Sequence, residues 1–329
     1  VNPRREAIDR LGDRYDARVL EPSPPAVTEE PFADDPVAPG DTAPCKQLVS
    51  PVTNADLTWD ELARDDPALA DWCATRWLGA WRPLPPLTDS DRLTDTRRAW
   101  HAVAEHVVAP ARHAVTGKIG LRFSRHGFGT PFFSPSGGRE PGDDRQVRVE
   151  GVNLVTDANK TRWAILANLG AAANLVRIEP GAPTDVYTPT TPCDPDEPLR
   201  LDARSTELLA AWFGFGASVL EQLRAESGPD VDPSRVQLWP EHFDLAVDVG
   251  DEARGRRGTF GASPGDDAHP APYLYVTQWT PDGDVAADPF WNDRSFAGAS
   301  LGYEELLPAD DQREAALTFL RRGRDLLRG

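Results

Sequence analysis

Basic side chains are scarce in this chain. Its 329 residues carry 35 lysines and arginines against 53 aspartates and glutamates, a formal net charge of −18. Lysine occurs only at Lys46, Lys118 and Lys160, and methionine is absent. Neutralising phosphates takes a basic surface, so no nucleic-acid partner is expected. The same charge is repelled by an anionic membrane face, so no membrane partner is expected either. No run approaches the ~20 apolar residues of a membrane helix. The first residues show no charged segment followed by an apolar one, so a secretory signal is not expected. The three cysteines, Cys45, Cys73 and Cys193, are odd in number and far apart, which makes no disulfide framework and points to a cytoplasmic protein. Arginine in place of lysine, with abundant alanine, proline and aspartate, fits a GC-rich coding bias. Salt adaptation is the rival source of an acidic surface.

What is present is enough for a sizeable core. A chain of this length buries roughly 75% of its unfolded surface. Residues 1–56 read as a proline-rich N-terminal extension, with a short charged helix at 3–18 and then a stretch crowded with prolines. That stretch is either disordered or an extended strap, with Phe32, Leu48 and Val49 to bury. Residues 57–178 form a first α+β half, 179–203 a proline-rich connection, and 204–329 a second α+β half.

Helical spacing places Leu69, Trp72, Cys73 and Trp77 on one stripe, with Cys73 structurally buried there. A longer helix from Ser90 to Gly117 puts Trp100, Val103, Val107 and Ala111 inward, with a kink or break at Pro110. On the same pattern His106 and His113 form a solvated pair. Strands are expected at 118–124, 129–133, 146–151 and just after, followed by a small-residue helix over 163–176. The second half repeats the order: a helix over 205–226, strands at 236–239, 242–250, 257–263, 272–279 and near 300–303, and a terminal helix over 309–328. The fold class expected is α+β, antiparallel meanders flanked by helices, and the repeated order suggests two related halves.

Gly261-Ala262-Ser263-Pro264-Gly265 matches the G-x-S-x-G nucleophile elbow in letters only. The residue after the serine must supply an oxyanion N–H, and here it is a proline; no helix follows. Gly127-Phe128-Gly129 lacks the third glycine and the helix of a dinucleotide site, so no cofactor is expected.

A second constellation has more content. Strand alternation turns His242 and Asp244 the same way beside Trp239. If 242–250 and 257–263 form a hairpin, Ser263, Asp266, Asp267 and His269 gather at the same sheet end. Two imidazoles with carboxylates suit acid–base work or, more weakly, a metal on His242, Asp244 and His269, although no compact ligand motif such as H-E-x-x-H supports that. Tyr273 and Tyr275 line a groove if Leu274 and Val276 face the core, and Trp291 lies in a nearby aromatic loop. A solvated sheet face and ordinary aromatic packing are the plainer accounts of these patterns.

The segments GFGTPFF (127–133), QVRVEG (146–151), LWPEHFDLA (238–246), GASPGDDAHPAPYLYV (261–276), DPFWN (288–292) and the terminal ALTFLRRGRDLL resemble an uncharacterised family of hypothetical proteins from actinobacteria. The resemblance covers about residues 60–329 and is most specific over 236–292. More distantly, the helix–meander layout and the FDLAV segment are similar to another actinobacterial domain of unknown function. The resemblance implies a folded domain and brings no activity with it. Three functions follow from the residues: a small-molecule-binding or enzymatic domain with a polar, aromatic pocket in 236–292, a non-catalytic protein-interaction module, or a metal-dependent hydrolase.

Overall fold

The helical stripe after Ser90 is built as α1 (Ser90–Val103), one π turn (Ala104–Val108) and α2 (Ala109–Thr116). Asp89 starts it by accepting from the N–H groups of Asp91 and Arg92, and Gly117 ends it at φ 72°. Pro110 does not break the helix. The π turn precedes it, and the carbonyl of His106, which a proline nitrogen cannot serve, accepts from Gly181 N at 3.0 Å. The π turn also rotates the faces that follow it. His106 is therefore buried, contrary to the solvated pair expected, and its Nε2 donates to the Thr191 carbonyl at 2.9 Å.

The computed structural model describes residues 83–328, apart from 88, 125, 132, 134–144, 159–160, 228–230, 232 and 281–287, together with two short strands before them. These strands, β1 (Gln47–Ser50) and β2 (Ala55–Thr58), pair antiparallel. The helices expected at 3–18 and around Leu69–Trp77, and most of the proline-rich extension, lie outside the described residues.

Two antiparallel meanders follow the helices. The first is β3 (Arg122–Ser124), β4 (Gly127–Gly129), β5 (Gln146–Glu150), β6 (Asn153–Asp157) and β7 (Arg162–Ile165). The second is β8 (Gln237–Trp239), β9 (Asp244–Asp251), β10 (Arg256–Ser263), β11 (Tyr273–Gln278) and β12 (Gly298–Gly302). Each meander keeps sequence order, and the two meet through their first strands. Leu121 and Leu238 exchange both backbone hydrogen bonds, each 2.8 Å, at an isolated bridge.

The expected helix over 163–176 is shorter than its apolar run. β6 offers an open edge, Arg162–Ile165 pairs with it, and α3 (Leu169–Val176) begins only where Asn168 caps the Ala171 N–H at 2.8 Å. Between the meanders runs α4 (Ala203–Ser227), started by Asp202, which accepts from the amide and hydroxyl of Ser205. Its stripe of Leu208, Trp212, Phe215, Val219 and Leu223 is buried. The chain closes with α5 (Tyr303–Leu306) and α6 (Gln312–Arg328). The order helix, five-strand meander, helix thus occurs twice in one α+β fold. No helix of the described residues is long and apolar enough to cross a membrane.

The helix α4 touches β3 and β4 of one meander and β9 and β10 of the other, while α6 covers β9 to β12. Leu245, Val247, Val249, Phe260, Ala262, Leu274 and Val276 are buried in the core beneath these helices. The alternate residues of β9, β10 and β11 face away from α4 and α6, and they build the candidate site. One tight crossing is at Gly216 on α4, where an added Cβ would lie 2.6 Å from the Ala262 Cβ. Gly216→Val is expected to lower stability by about 1–3 kcal/mol in urea unfolding. Gly181→Ala, with nothing within 4 Å of its added methyl, serves as the neutral control.

Candidate functional site

Trp239-Pro240-Glu241-His242 forms a turn between β8 and β9, closed by Phe243 N donating to the Trp239 carbonyl at 2.7 Å. Phe243 completes it at φ 54°, a left-handed conformation that a bulky side chain rarely adopts. Its ring pays for that by lying edge-on to Phe128 (5.1 Å) and Phe213 (5.3 Å) and stacking on His101 (5.2 Å). The residues on either side, His242 and Asp244, both line a cavity.

That cavity measures about 1000 Å³. Its floor is the outward face of the second meander, where the register aligns Asp244, Ala246 and Asp248 of β9 with Thr259, Gly261 and Ser263 of β10 and with Tyr273, Tyr275 and Thr277 of β11. One wall is α1, through Arg97, Arg98 and His101. The connection contributes Thr190 and Thr191, and the loops after β10 and before β12 contribute Asp266, Asp267 and Phe296.

Hydrogen bonds fix the floor. Tyr275 Oη donates to Asp244 Oδ2. To reach it, the tyrosine ring lies across β10 directly over Gly261, where any Cβ would collide with it. The first glycine of the elbow-like motif therefore makes room for an aromatic ring. Trp279 Nε1 donates to Thr259 Oγ1 at 2.9 Å, and Thr259 in turn to Asp248 Oδ1 at 2.7 Å. Tyr273 Oη donates to Asp266 Oδ2 at 2.6 Å, and Asp266 Oδ1 accepts from the amides of Ala268 and His269. Ser263 Oγ accepts from Gly265 N at 3.2 Å, and a loop follows where an elbow would need a helix.

The connection is held by a carboxylate. Glu105, fully buried in the π turn, accepts at Oε1 from the amide of Thr190 and at Oε2 from the amide of Thr191, both 2.8 Å, and from both threonine hydroxyls. His101 Nε2 donates to the Pro240 carbonyl at 2.9 Å, which ties the helix to the turn.

Burial sets the electrostatics of this cavity. It pushes Asp244 up to about 6, outweighing the bond from Tyr275 and the nearby His242, with Glu241 adding to the rise. It also raises Glu241 and Asp248 above their ordinary values. Burial favours the neutral ring of His101 and lowers it to about 4, although the Glu105 carboxylate pulls the other way. Asp266 goes the other way: burial would raise it, but the Tyr273 phenol and the two loop amides hold it low.

Of the residues singled out from the sequence, Trp239, His242, Asp244, Ser263, Asp266, Asp267, Tyr273 and Tyr275 line one cavity. Leu274 and Val276 face the core, which is the condition under which the two tyrosines line a groove. His269 stands behind that wall, its ring tilted against Tyr273 at 4.3 Å with Nε2 2.9 Å from Asp293 Oδ2. Trp291 lies elsewhere, edge-on to Phe290 at 5.0 Å and packed against the core. Among the described residues no three His, Cys, Asp or Glu side chains form a group able to hold a metal ion, so His242, Asp244 and His269 are not such a group. No family model, curated protein or solved structure matches the chain.

Sequence reasoning passed over Arg97, His101, Glu241, Asp248 and the two threonines. Asp248 was legible as the next turn of the Asp244 alternation, and Arg97, His101 and Glu105 as a polar row at helical spacing. Thr190 and Thr191 carry no such signal.

The pKa shift of Asp244 gives a signed expectation. Its folded value lies above the ordinary 3.8, so the folded chain binds the proton more tightly. Stability from this group is full below about pH 4 and lost as pH rises through about 6. Asp244→Asn is expected to exceed wild type by about 1–3 kcal/mol above neutral pH and to match it near pH 4, in urea unfolding across pH. His101 has the opposite sign: its contribution is present above its ordinary 6.5 and lost as pH falls towards 4. His101→Gln, which can keep a donor to the Pro240 carbonyl, is expected to flatten that acid limb.

Proposed function

We propose that the protein is a cytosolic small-molecule-binding domain whose ligand sits over the outward face of β9, β10 and β11. The observation that carries the reading is Asp244. It lies on the cavity wall, 6% exposed, with Oδ2 tied to Tyr275 and Oδ1 without a partner among the described residues. Leaving a buried acceptor open costs about 1–3 kcal/mol, and a fold keeps such a group where a ligand donor can meet it. The size of the cavity and its aromatic rings beside convergent polar groups suit a small organic molecule.

The segment 236–292, where the resemblance to the uncharacterised actinobacterial proteins is most specific, supplies most of this wall, and we read the chain as one of them. An exposed, unpaired Cys193 accords with a reducing compartment. If the ligand is turned over, Asp244 is the acid–base candidate, because its proton exchanges near neutral pH. An interaction module would instead present a broad apolar patch and no polar cavity. The large apolar side chains exposed among the described residues are few, with Trp163 and Ile165 paired on the edge strand β7 at 66% and 64% exposure.

The test is a thermal-shift screen of metabolite-sized compounds on wild type and on two filled variants, Ala246→Phe and Thr277→Phe. A ligand at a hundred times its Kd stabilises by about 2.7 kcal/mol. Hits should shift wild type and lose their effect in both filled variants. Hits that shift all three proteins alike would place the binding elsewhere and sink the reading.

A further inference from the structure

Building on the cavity reading, we infer that its ligand is a small organic cation, an ammonium or guanidinium compound, held by Asp244 and Glu241 beside an aromatic cluster. Five carboxylates line the cavity, Glu241, Asp244, Asp248, Asp266 and Asp267, against the guanidinium groups of Arg97 and Arg98. These groups are not equally available. Asp266 is saturated by Tyr273, Ala268 and His269, and Asp267 is taken by Arg98 at 2.9 Å. Arg97 donates to the Pro270 carbonyl. His101 spends its Nε2 proton on the Pro240 carbonyl, and burial keeps the ring neutral. Asp248 accepts from Thr259.

Glu241 and Asp244 remain. Each has one buried carboxylate oxygen with no hydrogen-bond partner among the described residues, Oε2 and Oδ1 respectively, and neither is ion-paired with an arginine or lysine there. Burial disfavours the charged form of both. A cation with N–H donors relieves both deficits at once, the open acceptors and the uncompensated charge. His242 lines the cavity beside both carboxylates.

The aromatic lining agrees. The rings of Tyr273, Tyr275 and Phe296 lie 6.1–6.4 Å from one another on the cavity wall, with Trp239 on the turn. Ring faces attract a weakly hydrated organic cation. A neutral ligand would leave the carboxylates uncompensated, an anion would be repelled by them, and a metal ion finds no three-donor group among the described residues.

The experiment titrates benzylammonium, benzyl alcohol and benzoate into the full chain at about pH 8, where the amine is charged, read by calorimetry. Benzylammonium should bind at least about tenfold more tightly than the alcohol, as expected for hydrogen bonds to a charged partner, and benzoate should not bind at millimolar concentration. Asp244→Asn and Glu241→Gln should each cut the ammonium affinity about tenfold while leaving the alcohol within about twofold. Equal binding of alcohol and ammonium, or no ammonium binding at millimolar concentration, overturns the cationic class and leaves the cavity reading to its own screen. Ammonium binding that survives in Ala246→Phe overturns both.

Discussion

The placement of the Phe243 ring is the constraint on which the site depends. One side chain meets Phe128 of the first meander, Phe213 of the central helix and His101 of α1, so it joins elements more than a hundred residues apart in sequence. Its backbone adopts a left-handed conformation that the aromatic contacts hold in place. Because Phe243 is anchored inward, the flanking His242 and Asp244 are presented to the cavity. The Leu121–Leu238 bridge lies close by in sequence, one residue before Trp239, so the joint between the meanders adjoins the turn of the site.

Two buried carboxylates show how differently the fold treats the same group. Glu105 is enclosed by the amides and hydroxyls of Thr190 and Thr191, and all its capacity goes into pinning the connection across the helix. Asp244 is also buried but keeps an oxygen open, and burial raises its proton affinity. The first arrangement is structural, since every lone pair has a partner from the chain itself. The second carries a standing cost that the chain's own side chains do not relieve, and natural proteins concentrate such costs at functional sites.

Much of the fold was legible because it rests on local periodicity. The stripe of Leu208, Trp212, Phe215, Val219 and Leu223 has the spacing of one helix face, and it is buried as such. The alternation in DLAVDV and YLYV separates core from cavity residue by residue. Local reading fails where a long-range partner decides. WAILANLGAAANLV is apolar throughout, and only the open edge of β6 turns its first part into a strand. His106 has the spacing of a solvated residue, and only the π turn and the connection bring it inside. His269 and Trp291, close in sequence to the wall residues, were drawn off by Asp293 and by Phe290 and the core.

The acidic balance, the scarcity of cysteine, the two helix–meander–helix runs and the polar–aromatic composition of 236–292 are properties of residue type and spacing, and the sequence determined them unaided. Tertiary structure alone decided which of the many acids are buried. Desolvation depends on what packs around a group: Asp267 reaches solvent and Arg98, whereas Asp244 is closed in by Tyr275, the turn at Phe243 and α1. No spacing rule distinguishes those two aspartates, because the difference lies in neighbours brought from helix, connection and sheet.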